Sequence, residues 1–64
     1  MPQYEIRYMR DDGKMSVSYR PDCLTPAEAR WLAQFYMRPE FACVEIWKDF
    51  QRIETIARQR KRLH

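Results

Sequence analysis

The chain has 64 residues, of which 45% are hydrophobic and 14% aromatic, and its formal net charge is +3. This length corresponds to one small domain, and the apolar content is too high for a disordered chain. No apolar run approaches the roughly 20 residues of a membrane span, and residues 1–5 do not have the pattern of a signal peptide. We therefore expect no membrane partner.

The first predicted element is a β-hairpin over Tyr4–Arg20. Apolar and polar residues alternate on both sides of Asp12-Gly13, the pattern of half-buried strands around a type I′ turn. This turn predicts four opposing pairs: Asp11 with Lys14, Tyr8 with Val17, Ile6 with Tyr19, and Glu5 with Arg20. One face then needs cover from a later element, because it carries Tyr4, Ile6, Tyr8, Met15, Val17 and Tyr19.

The second predicted element is a helix that begins after Thr25 and stops near Arg38. Thr25 suits the N-cap, Pro26 the first helical position, and Glu28 the third, where its carboxylate faces the positive end of the helix. The stop follows from Pro39, which disfavours the helical conformation of the residue before it.

This helix carries two apolar stripes, and what the helix can bind depends on which of them is buried. The first stripe contains Ala29, Leu32, Ala33 and Tyr36, and the second contains Ala27, Trp31 and Phe35. One small sheet needs less apolar surface than this. Either the sheet wraps around both stripes, or Trp31 and Phe35 stay partly exposed and bind a protein partner or a second copy.

The last third of the chain fits two alternatives. The apolar spacing over residues 43–57 fits a helix, whereas the β-branched and aromatic residues there favour strands over residues 41–47 and 51–56. The strand alternative pairs Ile46 with Ile53, Val44 with Thr55, Glu45 with Glu54, and Trp47 with Arg52. Two features oppose it, because Glu45 and Glu54 repel each other and Phe50 is a poor residue for a turn with positive φ.

A short motif favours the strand alternative. The run Val44-Glu45-Ile46-Trp47-Lys48-Asp49, followed by Gln51-Arg52-Ile53 after an N-terminal hairpin and one Ala-rich helix, resembles a group of small bacterial domains of unknown function. In that group a VEVW-turn-RRV hairpin closes a strand-strand-helix-strand-strand unit, usually with Gly where this chain has Phe50. The resemblance implies a second hairpin, and it carries no activity and no site residues.

The expected fold is therefore α+β, with an N-terminal β-hairpin, one α-helix and a C-terminal β-hairpin forming an antiparallel sheet covered by the helix. This single domain spans residues 1–57, and residues 58–64 form a basic C-terminal tail. The alternative is one hairpin plus two helices, the second running from about Cys43 to Arg62.

Residues suited to catalysis are scarce, and we expect no enzyme, no cofactor and no metal. The only histidine, His64, is the last residue, and the only glycine, Gly13, is used by the first turn. Cys23 and Cys43 lack both the spacing and the histidines of a zinc site, so we expect buried or half-buried thiols in a reducing cytoplasm.

Two kinds of binding remain. The first is a non-catalytic protein-interaction or regulatory module, favoured by the apolar excess on the helix, with Trp31, Phe35 and Trp47 as candidate partner-binding residues. The second is nucleic-acid binding, because residues 1–57 hold eight Lys or Arg against nine Asp or Glu, so that all excess positive charge lies in the tail. Its candidate residues are Arg52, Arg58, Arg60, Lys61 and Arg62. A protein partner is preferred.

Overall fold

The computed structural model describes residues 3–58. In this range the elements are β1 (Tyr4–Met9), β2 (Met15–Tyr19), α1 (Pro26–Phe35), β3 (Cys43–Lys48) and β4 (Gln51–Ala57). The strands form one antiparallel sheet in the order β2-β1-β3-β4. The predicted α+β fold is confirmed, and the alternative with a second helix from Cys43 is wrong, because this segment forms β3 and β4.

The core lies between α1 and the two central strands, β1 and β3. Ala29 and Ala33 are fully buried, and their small side chains let the helix approach the sheet closely. The hydroxyl of Tyr8 donates a hydrogen bond of 2.8 Å to the carbonyl oxygen of Ala33 and so ties β1 to α1. The buried side chains are Tyr4, Ile6, Tyr8, Cys23, Ala29, Ala33, Phe41, Val44 and Ile46.

The predicted start of the helix is confirmed, and its predicted end is too late. The Thr25 hydroxyl accepts a 3.1 Å hydrogen bond from the backbone N–H of Glu28, as an N-cap does. The helix ends at Phe35 with Tyr36 as C-cap, because the N–H of Met37 bonds to the carbonyl of Gln34. This tightened last turn leaves the helical path before Arg38.

The first turn is one residue longer than predicted. The N–H of Arg10 bonds to the carbonyl of Lys14, so the expected pairing of Asp11 with Lys14 is wrong. Within this turn, Gly13 is the only residue with positive φ. The longer loop needs one left-handed residue instead of two, and Gly13 takes that conformation without strain. An extra residue in β2, Ser16, then restores the predicted pairs of Tyr8 with Val17 and of Ile6 with Tyr19.

The second turn contains only Asp49 and Phe50, both at positive φ, and it confirms the pairing of Trp47 with Arg52. An extra residue, Ile53, then shifts the rest of the hairpin. The expected pairs of Ile46 with Ile53, Val44 with Thr55, and Glu45 with Glu54 are therefore wrong. Their places are taken by Ile46 with Glu54, Val44 with Ile56, and Glu45 with Thr55.

The shift also removes the predicted repulsion between Glu45 and Glu54. Because Glu54 is now paired with Ile46, it lies on the helix side of the sheet, where its carboxylate is 3.0 Å from the guanidinium of Arg30. Glu45 stays on the opposite face, next to Arg52. The bulge therefore exchanges a like-charge contact for two contacts of opposite charge.

The helix covers less of the first hairpin than predicted. Because α1 lies over β1 and β3, the apolar side chains of the edge strand β2 are only partly covered: Met15 is 52% exposed and Val17 46% exposed. Tyr19 is half-buried against the core. The sequence pattern assigned all three residues to the covered face, since alternation reports the face of a sheet and not the reach of a helix.

Candidate protein-binding surface

Trp31, Phe35 and Tyr36 form one exposed group on α1, which we call the aromatic surface. Their exposed fractions are 61%, 62% and 53%. The rings of Trp31 and Phe35 stack at 5.0 Å between centroids, and Tyr36 packs edge-on against Phe35 at 4.9 Å. These ring contacts hold the three side chains against one another.

The helix exposes these rings because it buries only one of its two stripes. Ala29 and Ala33 lie against the sheet, and Trp31 and Phe35 lie outside the contact. The sheet therefore does not wrap around both stripes. Tyr36 belongs to the same stripe as Ala29 and Ala33, but it is the C-cap residue beyond the end of the helix and is 53% exposed.

An apolar cleft continues the aromatic surface towards β2. It has a volume of about 600 Å³ and lies between the end of α1 and the edge strand, where it is lined by Tyr8, Val17, Tyr19, Tyr36, Arg38 and Phe41, among others. The ring of Tyr19 packs edge-on against Tyr36 and parallel to Tyr8. Burial raises the pKa of both Tyr8 and Tyr19 above the ordinary value for tyrosine.

Trp47 lies on the opposite face of the sheet, so the structure does not bring it together with Trp31 and Phe35. The Arg7 guanidinium lies 4.1 Å from the centre of the Trp47 ring, and the indole N–H donates a 3.0 Å hydrogen bond to Glu45. Contacts within the protein therefore already use one ring face and the polar edge of Trp47. This residue offers less free surface than the aromatic surface does.

Two of the five basic residues proposed for nucleic-acid binding have acidic neighbours. Arg52 lies 3.4 Å from the carboxylate of Glu45. Arg58 donates a 2.8 Å hydrogen bond to the carbonyl of Pro39 and lies 3.5 Å from Asp11. Its backbone N–H also bonds to the carbonyl of residue 42, next to the start of β3. The other three, Arg60, Lys61 and Arg62, lie outside the described residues.

The face of the sheet opposite α1, which we call the open face, carries a cluster of two carboxylates and two guanidinium groups whose charges balance. Its residues are Glu5, Arg7, Glu45, Trp47 and Arg52. The hydrogen bond from Arg7, 3.0 Å long, holds the pKa of the Glu5 carboxyl below its usual range. A carboxyl with a lowered folded-state pKa stabilises the fold above its unfolded-state pKa. That contribution is lost as the pH falls through the folded-state value.

We therefore expect acid to destabilise the chain in part through Glu5. Between about pH 5 and pH 3, the free energy of unfolding should fall less steeply in Glu5→Gln than in the unchanged chain. Urea denaturation followed by circular dichroism at several pH values measures this. In an Arg7→Met background the same substitution should have little effect, since the partner is gone; an equal effect there would contradict the assigned cause.

The two thiols are free and shielded, as the sequence predicted. Cys23 is buried and Cys43 is half-buried, and burial raises the pKa of both thiols above the ordinary value. Among residues 3–58, no group of three or more His, Cys, Asp or Glu side chains is arranged to hold a metal ion.

Comparisons of the chain with protein-family models, curated proteins and solved structures gave no match. The resemblance to small bacterial domains therefore stays a prediction. Within residues 3–58, no helix has the length and apolarity needed to cross a membrane.

Proposed function

We propose that this chain is a small, non-catalytic protein-interaction module that binds a partner protein through its aromatic surface. One observation carries the proposal: Trp31, Phe35 and Tyr36 are each more than half exposed, yet they are packed against one another in a fixed arrangement. Exposed aromatic groups of this kind are enriched at protein interfaces and are costly to leave in water.

Two physical reasons favour a protein as the ligand of this surface. Each ring has few rotatable bonds and is already held by its neighbour, so binding costs little side-chain entropy. The second reason is the exposed apolar area. If a whole aromatic side chain has about 200 Å² of surface, the exposed part of the three rings amounts to roughly 350 Å². The adjoining cleft adds a pocket for a further apolar group.

A nucleic-acid ligand has less support from the described residues. Bases stack on exposed aromatic rings that lie beside free positive charge. On the open face the ring of Trp47 is covered by Arg7, and the charge of Arg52 is partly balanced by Glu45. On the other side of the sheet, Arg30 next to the aromatic surface is paired with Glu54. Arg38, beside Tyr36, is then the one basic side chain at these rings without an ion pair among residues 3–58.

The proposal includes a cytoplasmic location. Its support is that Cys23 and Cys43 are both free thiols, as is usual for proteins in a reducing compartment.

The double substitution Trp31→Ser and Phe35→Ser tests the proposal. Because both side chains are more than half exposed, we expect a folded chain whose free energy of unfolding changes by less than about 1 kcal/mol. A photo-crosslinking residue at Gln34, beside the surface, should capture a protein in cells that produce the unchanged chain. The captured species should be lost in the double variant.

The control places the same crosslinker at Asp49, in the turn of the second hairpin, where capture should not depend on Trp31 or Phe35. An unfolded double variant would show that the two rings belong to the core. Capture that persists in a folded double variant would show that the aromatic surface is not the contact.

A further inference from the structure

We infer that the partner of the aromatic surface is a second copy of this chain, with the two α1 helices packed antiparallel across a two-fold axis. The inference rests on the proposed function, because it uses the same surface and adds the identity of the occupant. It follows from three features of α1: the order of its aromatic residues, the charges at its two ends, and the area it leaves exposed.

The order of the aromatic residues suits a two-fold axis at the level of Ala33. Trp31 and Phe35 lie two residues before and two residues after this level. An antiparallel pair of helices therefore sets Trp31 of each copy against Phe35 of the other. The contact therefore contains two identical pairs, each made of Trp31 from one copy and Phe35 from the other.

The charges at the ends of the surface complement each other in the same arrangement. Glu28 lies in the first turn of α1, five residues before Ala33, whereas Arg38 lies just beyond the C-cap of the helix. Both are exposed, and neither forms an ion pair with any residue of 3–58. Glu28 is on the same side of α1 as Trp31 and Phe35, since it precedes them by three and seven residues.

These charges also fix the orientation of the helices. Arg38 follows the end of α1 and lines the cleft beside Tyr36. Across an antiparallel contact, Glu28 of one copy faces Arg38 of the other, twice. A parallel contact would instead set Glu28 against Glu28 and Arg38 against Arg38, which is unfavourable.

The exposed area is enough for a weak dimer. Two aromatic surfaces of roughly 350 Å² each, together with the charged ends, stay below the lower limit of about 1,000 Å² for a stable specific interface. We therefore expect a dimer that dissociates in the micromolar range, rather than an obligate one.

Self-pairing of the edge strand β2 is one competing arrangement, and its charges oppose it. An antiparallel pair of β2 strands centred on Val17 sets Lys14 of each copy against Arg20 of the other. The extra residue at Ser16 also interrupts the ladder that a second strand would extend. The helix face carries neither defect.

Sedimentation of the purified chain over a range of concentrations tests the inference, with single charge reversals at the two ends. We expect Glu28→Arg and Arg38→Glu each to weaken the dimer about tenfold, because each puts like charges together in both halves of the contact. An equimolar mixture of the two variants should regain the original affinity. The double variant Glu28→Arg/Arg38→Glu should regain it as well.

The double variant also controls for folding, since it carries the same change in the first turn of α1 as Glu28→Arg alone. The variant lacking Trp31 and Phe35 should be a monomer, and Phe50→Gly, which removes the most exposed aromatic ring elsewhere, should dimerise normally. A dimer that is lost in Phe50→Gly, or one that is unaffected by Glu28→Arg, would overturn the inference.

The outcomes separate this inference from the proposed function. A chain that stays monomeric at all concentrations, but crosslinks to a different protein through Gln34, would overturn self-association and leave the interaction module standing. A monomer without any crosslink at Gln34 would overturn both.

Discussion

Replacing Ile46 with alanine is expected to remove most of the stability of this protein. Ile46 is 1% exposed, on a central strand and under the helix. Cutting a buried isoleucine to alanine costs about 2–5 kcal/mol, because apolar contacts are lost and a cavity is left. A domain this small rarely has more than roughly 3–5 kcal/mol of stability in total. Circular dichroism and urea denaturation should show a chain that is largely unfolded at 25 °C.

Ile53→Ala is the matched control, since it makes the same chemical change on the edge strand β4. Ile53 is 42% exposed and is the extra residue of the bulge, so we expect a loss of less than about 1 kcal/mol. Equal losses at the two positions would contradict the placement of the core over β1 and β3.

Replacing Phe50 with glycine should have the opposite effect and stabilise the chain. Phe50 is 96% exposed and has a φ of 70°, a left-handed conformation that costs a residue with a Cβ atom about 1–2 kcal/mol. Glycine takes this conformation freely, and little packing is lost. We expect the free energy of unfolding to rise by about 1 kcal/mol, which raises Tm by roughly 4–8 °C in a domain of this size.

The reverse change in the first hairpin is the control. Gly13 has a φ of 82°, and a Cβ atom placed there meets no described atom within 4 Å, so the cost of Gly13→Ala comes from the backbone alone. That cost should be about 1 kcal/mol, opposite in sign to the gain from Phe50→Gly. If Phe50→Gly lowers Tm, the ring of Phe50 must contribute packing that its exposure does not indicate.

The two substitutions that change stability should differ in their effect on dimerisation. Ile46 holds β3 under α1, and the rings of Trp31 and Phe35 are presented on the outer side of that helix. Because Ile46→Ala unfolds the chain, it should also separate the rings that form the aromatic surface. Phe50→Gly should raise stability without changing dimerisation, because the turn lies on the second hairpin, away from the helix face proposed as the contact.

Local patterns in the sequence predicted the elements well. Alternation identified β1 and β2, and β-branched and aromatic content together with the short motif favoured β3 and β4, all with bounds close to the observed ones. The Thr25-Pro26 start of α1 is correct to the residue. These patterns depend on residues that are near each other in the chain, where sterics and hydrogen bonding act directly.

Register was predicted only in part, because bulges do not show in an alternation pattern. The extra residues at Ser16 and Ile53 each shift one strand by a single position. At Ile53 the shift is compatible with the rest of the fold, since it moves Glu54 to Arg30 and away from Glu45. Arg30 is 24 residues away in the chain, so the sequence spacing within the hairpin carried no sign of it.

The candidate surface was also predicted only in part from the sequence. The sequence determined that α1 carries more apolar residues than one sheet needs, and it singled out Trp31 and Phe35 as candidates for exposure. Only the tertiary structure decided that both stay exposed, that Tyr36 joins them, and that Trp47 lies on the opposite face. The physical reason is that amphipathic patterns set which side of an element is apolar, whereas burial depends on which other elements lie against that side. The backbone of α1 packs closely only against β1 and β3, and it meets β4 through the ion pair of Arg30 with Glu54.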